Sequence, residues 1–280
     1  MQKQIVIGVI PARFASTRLP GKMLADIRGQ PLLWHTWHRA LQSKRLDRLV
    51  IAAGDARIAE AARCFGAEVV EVFDDVQSGS DRVWKAVQKL QIEKCVARDA
   101  RCEAKSKIIV NIQGDEPMLD PLVVDAVVEA LLNNPQAGVG TAASPLIDES
   151  DYLNPACVKV IIDKNHRALY FSRSPIPYGL QNKIVDKREA RCVRFEAQSK
   201  IQNPKSKIVF RHIGIYAYRY ETLQLFTQLP PSQMELTERL EQLRLLERGV
   251  KFTAAVVDYN GIAVDTADDL ARVRRHLDNY

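Results

Sequence analysis

A chain of 280 residues, 46% hydrophobic and 26% charged, can bury a substantial α/β core, and no solenoid repeat interrupts it. Its formal net charge of +6 is concentrated: residues 94–107 contribute +3 and residues 181–207 contribute +5, leaving the rest of the chain at −2, which argues against a nucleic-acid surface spread over the body of the protein. Five cysteines without a C-x-x-C pair indicate neither a zinc site nor a disulfide framework, and the six mostly apolar residues before Pro11 are too few for a signal h-region or a membrane span, so a cytoplasmic protein is expected.

The chain opens on Ile5-Val-Ile-Gly-Val-Ile10, a continuous apolar run that reads as a strand covered on both faces and ending at Pro11. The loop behind it carries Arg13, Ser16, Thr17, Arg18, Gly21 and Lys22. Hydroxyls, a bendable backbone and three cations beyond the C-terminal end of a strand suit a polyanion such as a nucleoside triphosphate. The Walker pattern fails, because Ser16 stands five before Gly21 and Met23 follows Lys22, and the dinucleotide fingerprint fails because Gly8 and Gly21 are far apart. A solvated basic loop is the plain alternative.

Pro31 to Gln42 reads as a helix, on which His35 and His38 are structural or surface residues for want of a third ligand. Arg48–Ala53 is a second strand, Asp55 caps a helix to Cys64, and Ala67–Val72 is a third strand. This alternation predicts a doubly wound, mainly parallel α/β sheet. Gln77-Ser-Gly-Ser-Asp-Arg82 opens a helix to about Leu90, its free N–H groups suited to a ribose, a base edge or a phosphate, or serving as an ordinary cap.

Lys107-Ile-Ile-Val-Asn-Ile-Gln-Gly-Asp-Glu-Pro117 reads as a buried strand, Ile108–Ile112, that delivers Gln113, Asp115 and Glu116 to the same sheet edge as the opening loop. Carboxylates there, across from a phosphate loop, suit Mg²⁺, or else form a capped turn. A helix from Pro121 to Leu132 and a strand from Gly138 to Ser144 follow.

From Asn154 the pattern changes to a smaller antiparallel excursion at about 154–220, with Val158–Asp163 and Ala168–Ser172 as partners and Arg211–Tyr218 placing His212 and Tyr216 on one side. Glu235–Gly249 reads as a helix with a stripe of Leu236, Leu240, Leu243 and Leu246, beside Glu241 and Gln242. A strand from Lys251 to Val257 precedes Asp265, which stands where the last helix starts and is an alternative cap for it. The two basic segments repeat an Ala-Arg-Cys…Lys-Ser-Lys pattern and read as related loop insertions. Neither interleaves aromatics for base stacking, so RNA docking is the weaker reading.

Seven blocks carry a family: Ile10-Pro-Ala-Arg-Phe-Ala-Ser-Thr-Arg-Leu-Pro-Gly-Lys22, Gln77–Arg82, Asn111–Pro117, Tyr170-Phe-Ser-Arg-Ser174, Arg211-His-Ile-Gly-Ile-Tyr216, Leu240-Glu-Gln-Leu-Arg244 and Val264-Asp-Thr266. In this order, and over nearly the whole chain outside the insertions, they closely resemble the 3-deoxy-manno-octulosonate (Kdo) cytidylyltransferases. The resemblance implies a single nucleotidyltransferase domain over 1–280 of the GT-A-like, nucleotide-diphospho-sugar transferase type. It implies transfer of CMP from CTP to an acidic eight-carbon sugar, Mg²⁺ dependence, usually a homodimer, and a place in lipopolysaccharide synthesis.

Position by position, the resemblance implies that Arg13 and Lys22 hold the triphosphate and that Pro11, Ala12 and Ser80 lie near the nucleoside. It makes Asp115 and Asp265 the magnesium ligands, and it lines the sugar site with Gln113, Arg173, His212, Tyr216, Glu241 and Gln242. Gly54, where the family often has aspartate, and Ala263, where it has glycine, depart from the pattern. A transferase for 8-amino-Kdo or sialic acid is the nearest alternative, and an RNA-binding protein the alternative of another class.

Overall fold

The computed structural model describes residues 4–16, 18–76, 78–97, 107–146, 149–178 and 208–278. The basic insertion expected at 181–207 lies outside these residues, as do residues 98–106 of the first one. In chain order the elements are β1 (Ile5–Ala12), a 3-10 turn (Lys22–Leu24), β2 (Asp26–Ile27), β3 (Gln30–Pro31), α1 (Leu32–Ala40), β4 (Arg48–Ala53), α2 (Ala56–Cys64), β5 (Val69–Glu71), α3 (Gly79–Ala97), β6 (Lys107–Asn111) and α4 (Pro121–Leu132). There follow β7 (Val139–Pro145), α5 (Glu149–Leu153), β8 (Lys159–Ile162), β9 (Arg167–Ser172), β10 (Val209–Arg219), α6 (Tyr220–Gln228), α7 (Gln233–Glu238), α8 (Leu243–Glu247), β11 (Phe252–Val256) and α9 (Ala267–Asp278). Among the described residues no helix is long and apolar enough to cross a membrane.

The chain divides into two compact units, one of Met1–Val128, Ile215–Gln228 and Gly261–Tyr280, the other of Glu129–Gly214 and Leu229–Asn260. In the first unit β5, β4, β1 and β6 run parallel, and the later residues of β10 pair antiparallel with β6, Tyr216 opposite Asn111. Val9, Ile10, Val50, Ile51, Ile109 and Val110 are fully buried there, as strands covered on both faces require. In the second unit β11 runs parallel to β7 and antiparallel to β9, and β8 pairs antiparallel with β9 and with the start of β10. The sheet pattern is therefore mixed.

Three expectations are corrected. The first strand does not stop at Pro11: it continues to Ala12, paired with Ala53 of β4. The Ala12 carbonyl accepts from Gly54 N on the β4 side at 2.7 Å and the Val9 carbonyl accepts from Ile112 N on the β6 side at 3.0 Å. By strand alternation Pro11 faces the β6 side, where pairing has ended at Val9–Asn111, so its missing N–H leaves no ladder bond unmade.

The single helix expected over 235–249 is instead α7 and α8, broken at Arg239, whose φ of 54° lies in the left-handed region. α7 starts at Ser232, which forms a reciprocal capping box with Glu235, and the leucine stripe fails because Leu236 is exposed. The helix expected to end near Leu90 runs on to Ala97.

Asp55 caps α2 as expected, accepting from Ile58 N at 3.2 Å, and its other oxygen accepts from Phe14 N at 2.7 Å. One carboxylate thus closes a helix end and ties down the loop after β1. Asp55→Ala is expected to lower stability by about 1–2 kcal/mol, the usual effect of losing an N-cap, with the urea midpoint falling at unchanged m-value.

Candidate active site

The loop from Arg13 to Gly21 is anchored at both ends before it reaches Lys22. Gly21 N donates to the Phe14 carbonyl at 3.1 Å, the Arg57 guanidinium lies 3.4 Å above the Phe14 ring, and Gly21 takes φ 71° with the Phe14 ring filling the place of a Cβ. Arg13 is exposed, with no hydrogen bond or ion pair among the described residues. Lys22 is buried. Its ammonium donates to Asp115 Oδ2 at 2.6 Å, to the Val264 carbonyl at 2.9 Å and to Asp265 Oδ1 at 3.0 Å. Burial pulls the Lys22 pKa down, but Asp115 first and Asp265 after it outweigh that and hold it above the ordinary lysine value.

The two aspartates arrive from distant segments and are joined through the backbone, Val264 N donating to the Asp115 carbonyl at 2.9 Å. Gly114 permits the approach: a Cβ there would sit 3.2 Å from Ile10 Cγ2 and from the Pro11 carbonyl oxygen. Thr36 Oγ1 donates to the Gly114 carbonyl at 3.0 Å. The cap of α9 falls to Thr266, which exchanges bonds with Asp269, so the Asp265 carboxylate is not consumed as a cap. Its second oxygen pairs with Arg18 at 3.0 Å. Arg18 had no role assigned from the sequence beyond being one of three loop cations.

Pro11 and Ala12 end β1, with Gly79 beside them: the place of its Cβ lies 3.8 Å from Pro11. Ser78 and Asp81 form a reciprocal cap at the start of α3, which leaves Ser80 buried in the first turn. Arg82, the last residue of the Gln77–Arg82 block, is buried and donates to the Val72 carbonyl. It also explains Gly54, where a Cβ would come within 2.8 Å of the Arg82 guanidinium. Any larger side chain at this position would need that guanidinium to move. Ala263 is exposed, and its extra methyl meets solvent. His35 bonds the Ile27 carbonyl at 2.8 Å and His38 stacks on Trp34.

Of the residues expected at the sugar, Gln113 and Tyr216 belong to the first unit: Gln113 Nε2 reaches Asn111 Oδ1 at 3.4 Å, and Tyr216 stacks on Tyr218. Arg173, His212, Glu241 and Gln242 belong to the second. The Arg173 guanidinium donates to the carbonyls of Glu238 and Pro155, each at 3.0 Å. His212 Nε2 lies 3.0 Å from Thr141 Oγ1, with its ring edge-on to Phe171. Desolvation pushes its pKa down to about 3, so at neutral pH it is an uncharged imidazole and brings no cation. Half-buried Glu241 precedes Gln242, which is buried, and the Gln242 Nε2 amide has no hydrogen-bond partner among the described residues. A buried donor left unmatched is unusual in a folded protein.

An α/β protein that gathers a cationic loop after its first strand with one aspartate from beyond β6 and another from just before α9 has the architecture of a nucleotidyltransferase. The family model described as Cytidylyltransferase matches residues 7–252. The 3-deoxy-manno-octulosonate cytidylyltransferase of Thermodesulfovibrio yellowstonii is 37% identical over 99% of both chains, and that of Pseudomonas syringae pv. tomato is 42% identical over 96% of this chain and 97% of its own. The solved structure of CMP:2-keto-3-deoxy-manno-octonic acid synthetase complexed with CTP superposes with a TM-score of 0.80 at 34% identity, covering 98% of this chain and 99% of that one. The chain belongs to the cytidylyltransferase family.

The state of His212 has a measurable consequence. Between the ordinary value of 6.5 and about 3 the unfolded chain binds a proton at this residue and the folded chain does not, so stability falls as pH drops through that window. The slope from this group is up to about 1.4 kcal/mol per pH unit. Urea midpoints from pH 6.5 to 5, above most carboxylate titration, are expected to fall less steeply in His212→Asn than in the wild type.

Proposed function

We propose that the protein is a 3-deoxy-manno-octulosonate cytidylyltransferase, forming CMP-Kdo and pyrophosphate from CTP and Kdo for lipopolysaccharide synthesis. The observation that carries this reading is full-length similarity to proteins of that name, one of them solved with CTP, in a chain whose Lys22, Asp115 and Asp265 meet at one point. The parallel arrangement of β5, β4, β1 and β6 with helices between them supports a doubly wound sheet of the GT-A-like type.

The donor set fits magnesium. Two carboxylates and a carbonyl converge on a single cationic atom, and hard oxygen ligands around one position are what Mg²⁺ takes when substrate phosphates complete its shell. Asp115 and Asp265 would hold it, and it would supply charge neutralisation at the α-phosphate. The anomeric oxygen of the sugar forms a bond to the α-phosphorus as the bond to the pyrophosphate oxygen breaks in line, and the hydroxyl proton is lost to solvent. The work of the protein is to position groups and neutralise charge.

Lys22 and exposed Arg13 carry the positive charge for the departing pyrophosphate. On the sugar side Arg173 supplies the cation for the substrate carboxylate. Neutral His212, Glu241 and the unmatched Gln242 amide supply hydroxyl partners.

Pyrophosphate release is expected with CTP and Kdo together, and not with ATP, GTP or UTP or without sugar. Equal or faster turnover with 8-amino-Kdo or N-acetylneuraminate would reassign the sugar. Asp115→Asn and Asp265→Asn are each expected to remove most activity while circular dichroism stays native, and near-wild-type turnover in both would sink the metal assignment. For Lys22→Ala a loss of about 10² or more in kcat is expected in single-turnover assays.

A further inference from the structure

The two aspartates are occupied by cations of the chain itself. Asp115 Oδ2 and Asp265 Oδ1 both accept from the Lys22 ammonium, the Val264 carbonyl takes its third proton, and Asp265 Oδ2 pairs with Arg18. The ammonium has three protons and three oxygen partners, so it fills the position that the same oxygens would offer a divalent ion. One position cannot hold two cations. Charge repulsion at such a distance in a partly buried site disfavours adding a dication beside the ammonium.

Lys22 is fixed at its backbone, opening the 3-10 turn after Gly21, but its side chain can turn toward another acceptor. Arg18 can move more freely, since its side chain is 65% exposed. A triphosphate brings several acceptor oxygens that compete for both cations.

We propose that Lys22 and Arg18 form a cation lock: in the nucleotide-free protein they hold Asp115 and Asp265 closed to a divalent metal, and the triphosphate opens the site by drawing both cations onto its phosphates. Metal and nucleotide binding are then strongly coupled, and the free protein has little affinity for the metal alone. The inference rests on the cytidylyltransferase reading of the same aspartates.

The test is Mn²⁺ binding to the full chain, followed by electron paramagnetic resonance of the free ion and by water-proton relaxation, without nucleotide and with CTP but no sugar. Wild type without nucleotide is expected to bind weakly. Lys22→Met is expected to tighten nucleotide-free Mn²⁺ binding by about tenfold or more, and Arg18→Gln by about two- to fivefold, in line with removing one buried and one exposed neighbouring charge. Adding Asp115→Asn to Lys22→Met should abolish the gain.

If Lys22→Met is folded and binds Mn²⁺ no better than wild type, while wild type with CTP forms the ternary complex, the lock is wrong and the metal reading stands. If no ternary complex forms even with CTP, the metal reading fails and the lock with it. Should Lys22→Met not fold, Arg18→Gln decides: unchanged nucleotide-free Mn²⁺ affinity in that variant overturns the lock.

Discussion

The site in the first unit depends on one ammonium group. Lys22 Nζ takes its acceptors from Asp115, Val264 and Asp265, 93, 242 and 243 residues away in the chain, and among the described residues it bonds nothing nearer in sequence. Sheet pairing with β1 places the end of β6 beside the loop after β1, and this contact with the backbone bond from Val264 to Asp115 ties the approach to α9 to it. Two carboxylates at such proximity repel each other unless a positive charge lies between them. That charge is the lysine, which bonds both carboxylates.

The surroundings hold this point in place by ordinary means. Asp55, Arg57 and Phe14 fix the loop, Gly21 turns it, and Gly114 lets β6 approach β1 closely enough for Asp115 to reach Lys22. None of these residues bears on chemistry directly. They set the position of a single side-chain nitrogen, and at active sites an error of an ångström is enough to lose rate.

Much of this was legible in the sequence, because buried parallel strands read as unbroken apolar runs and charged residues at their ends stand out against them. Lys22, Asp115 and Asp265 could each be picked out, and Asp55 could be named as a cap. What could not be read was any feature decided by one backbone angle or by an unseen neighbour. Arg239 looks like an ordinary helical residue, yet its left-handed conformation splits α7 from α8. Pro11 looks like a strand terminator, yet it sits where β6 no longer needs its N–H. Gly54 looks like a bare departure from the family pattern, until the Arg82 guanidinium is found within 2.8 Å of where its Cβ would be. Arg18 was visible as a charge, but its partner is nearly 250 residues away, and spacing gives no hint of that.

The second unit contains a buried lysine that sharpens the meaning of the first. Lys159 also has three acceptors, the carbonyls of Asn154 at 2.9 Å, Cys157 at 2.7 Å and Arg173 at 2.6 Å. Burial pulls its pKa below the ordinary value, since neutral carbonyls, with more distant charges of both signs, do not offset the desolvation. Lys22, under the same penalty, goes the other way because two of its partners are carboxylates. A lysine satisfied by backbone carbonyls has no better partner to move to, and it pins the residues around Arg173. A lysine satisfied by carboxylates is held only until a stronger anion competes for it or another cation competes for them. Both are buried and fully bonded, and the difference between scaffold and site lies in whether the partners can be exchanged.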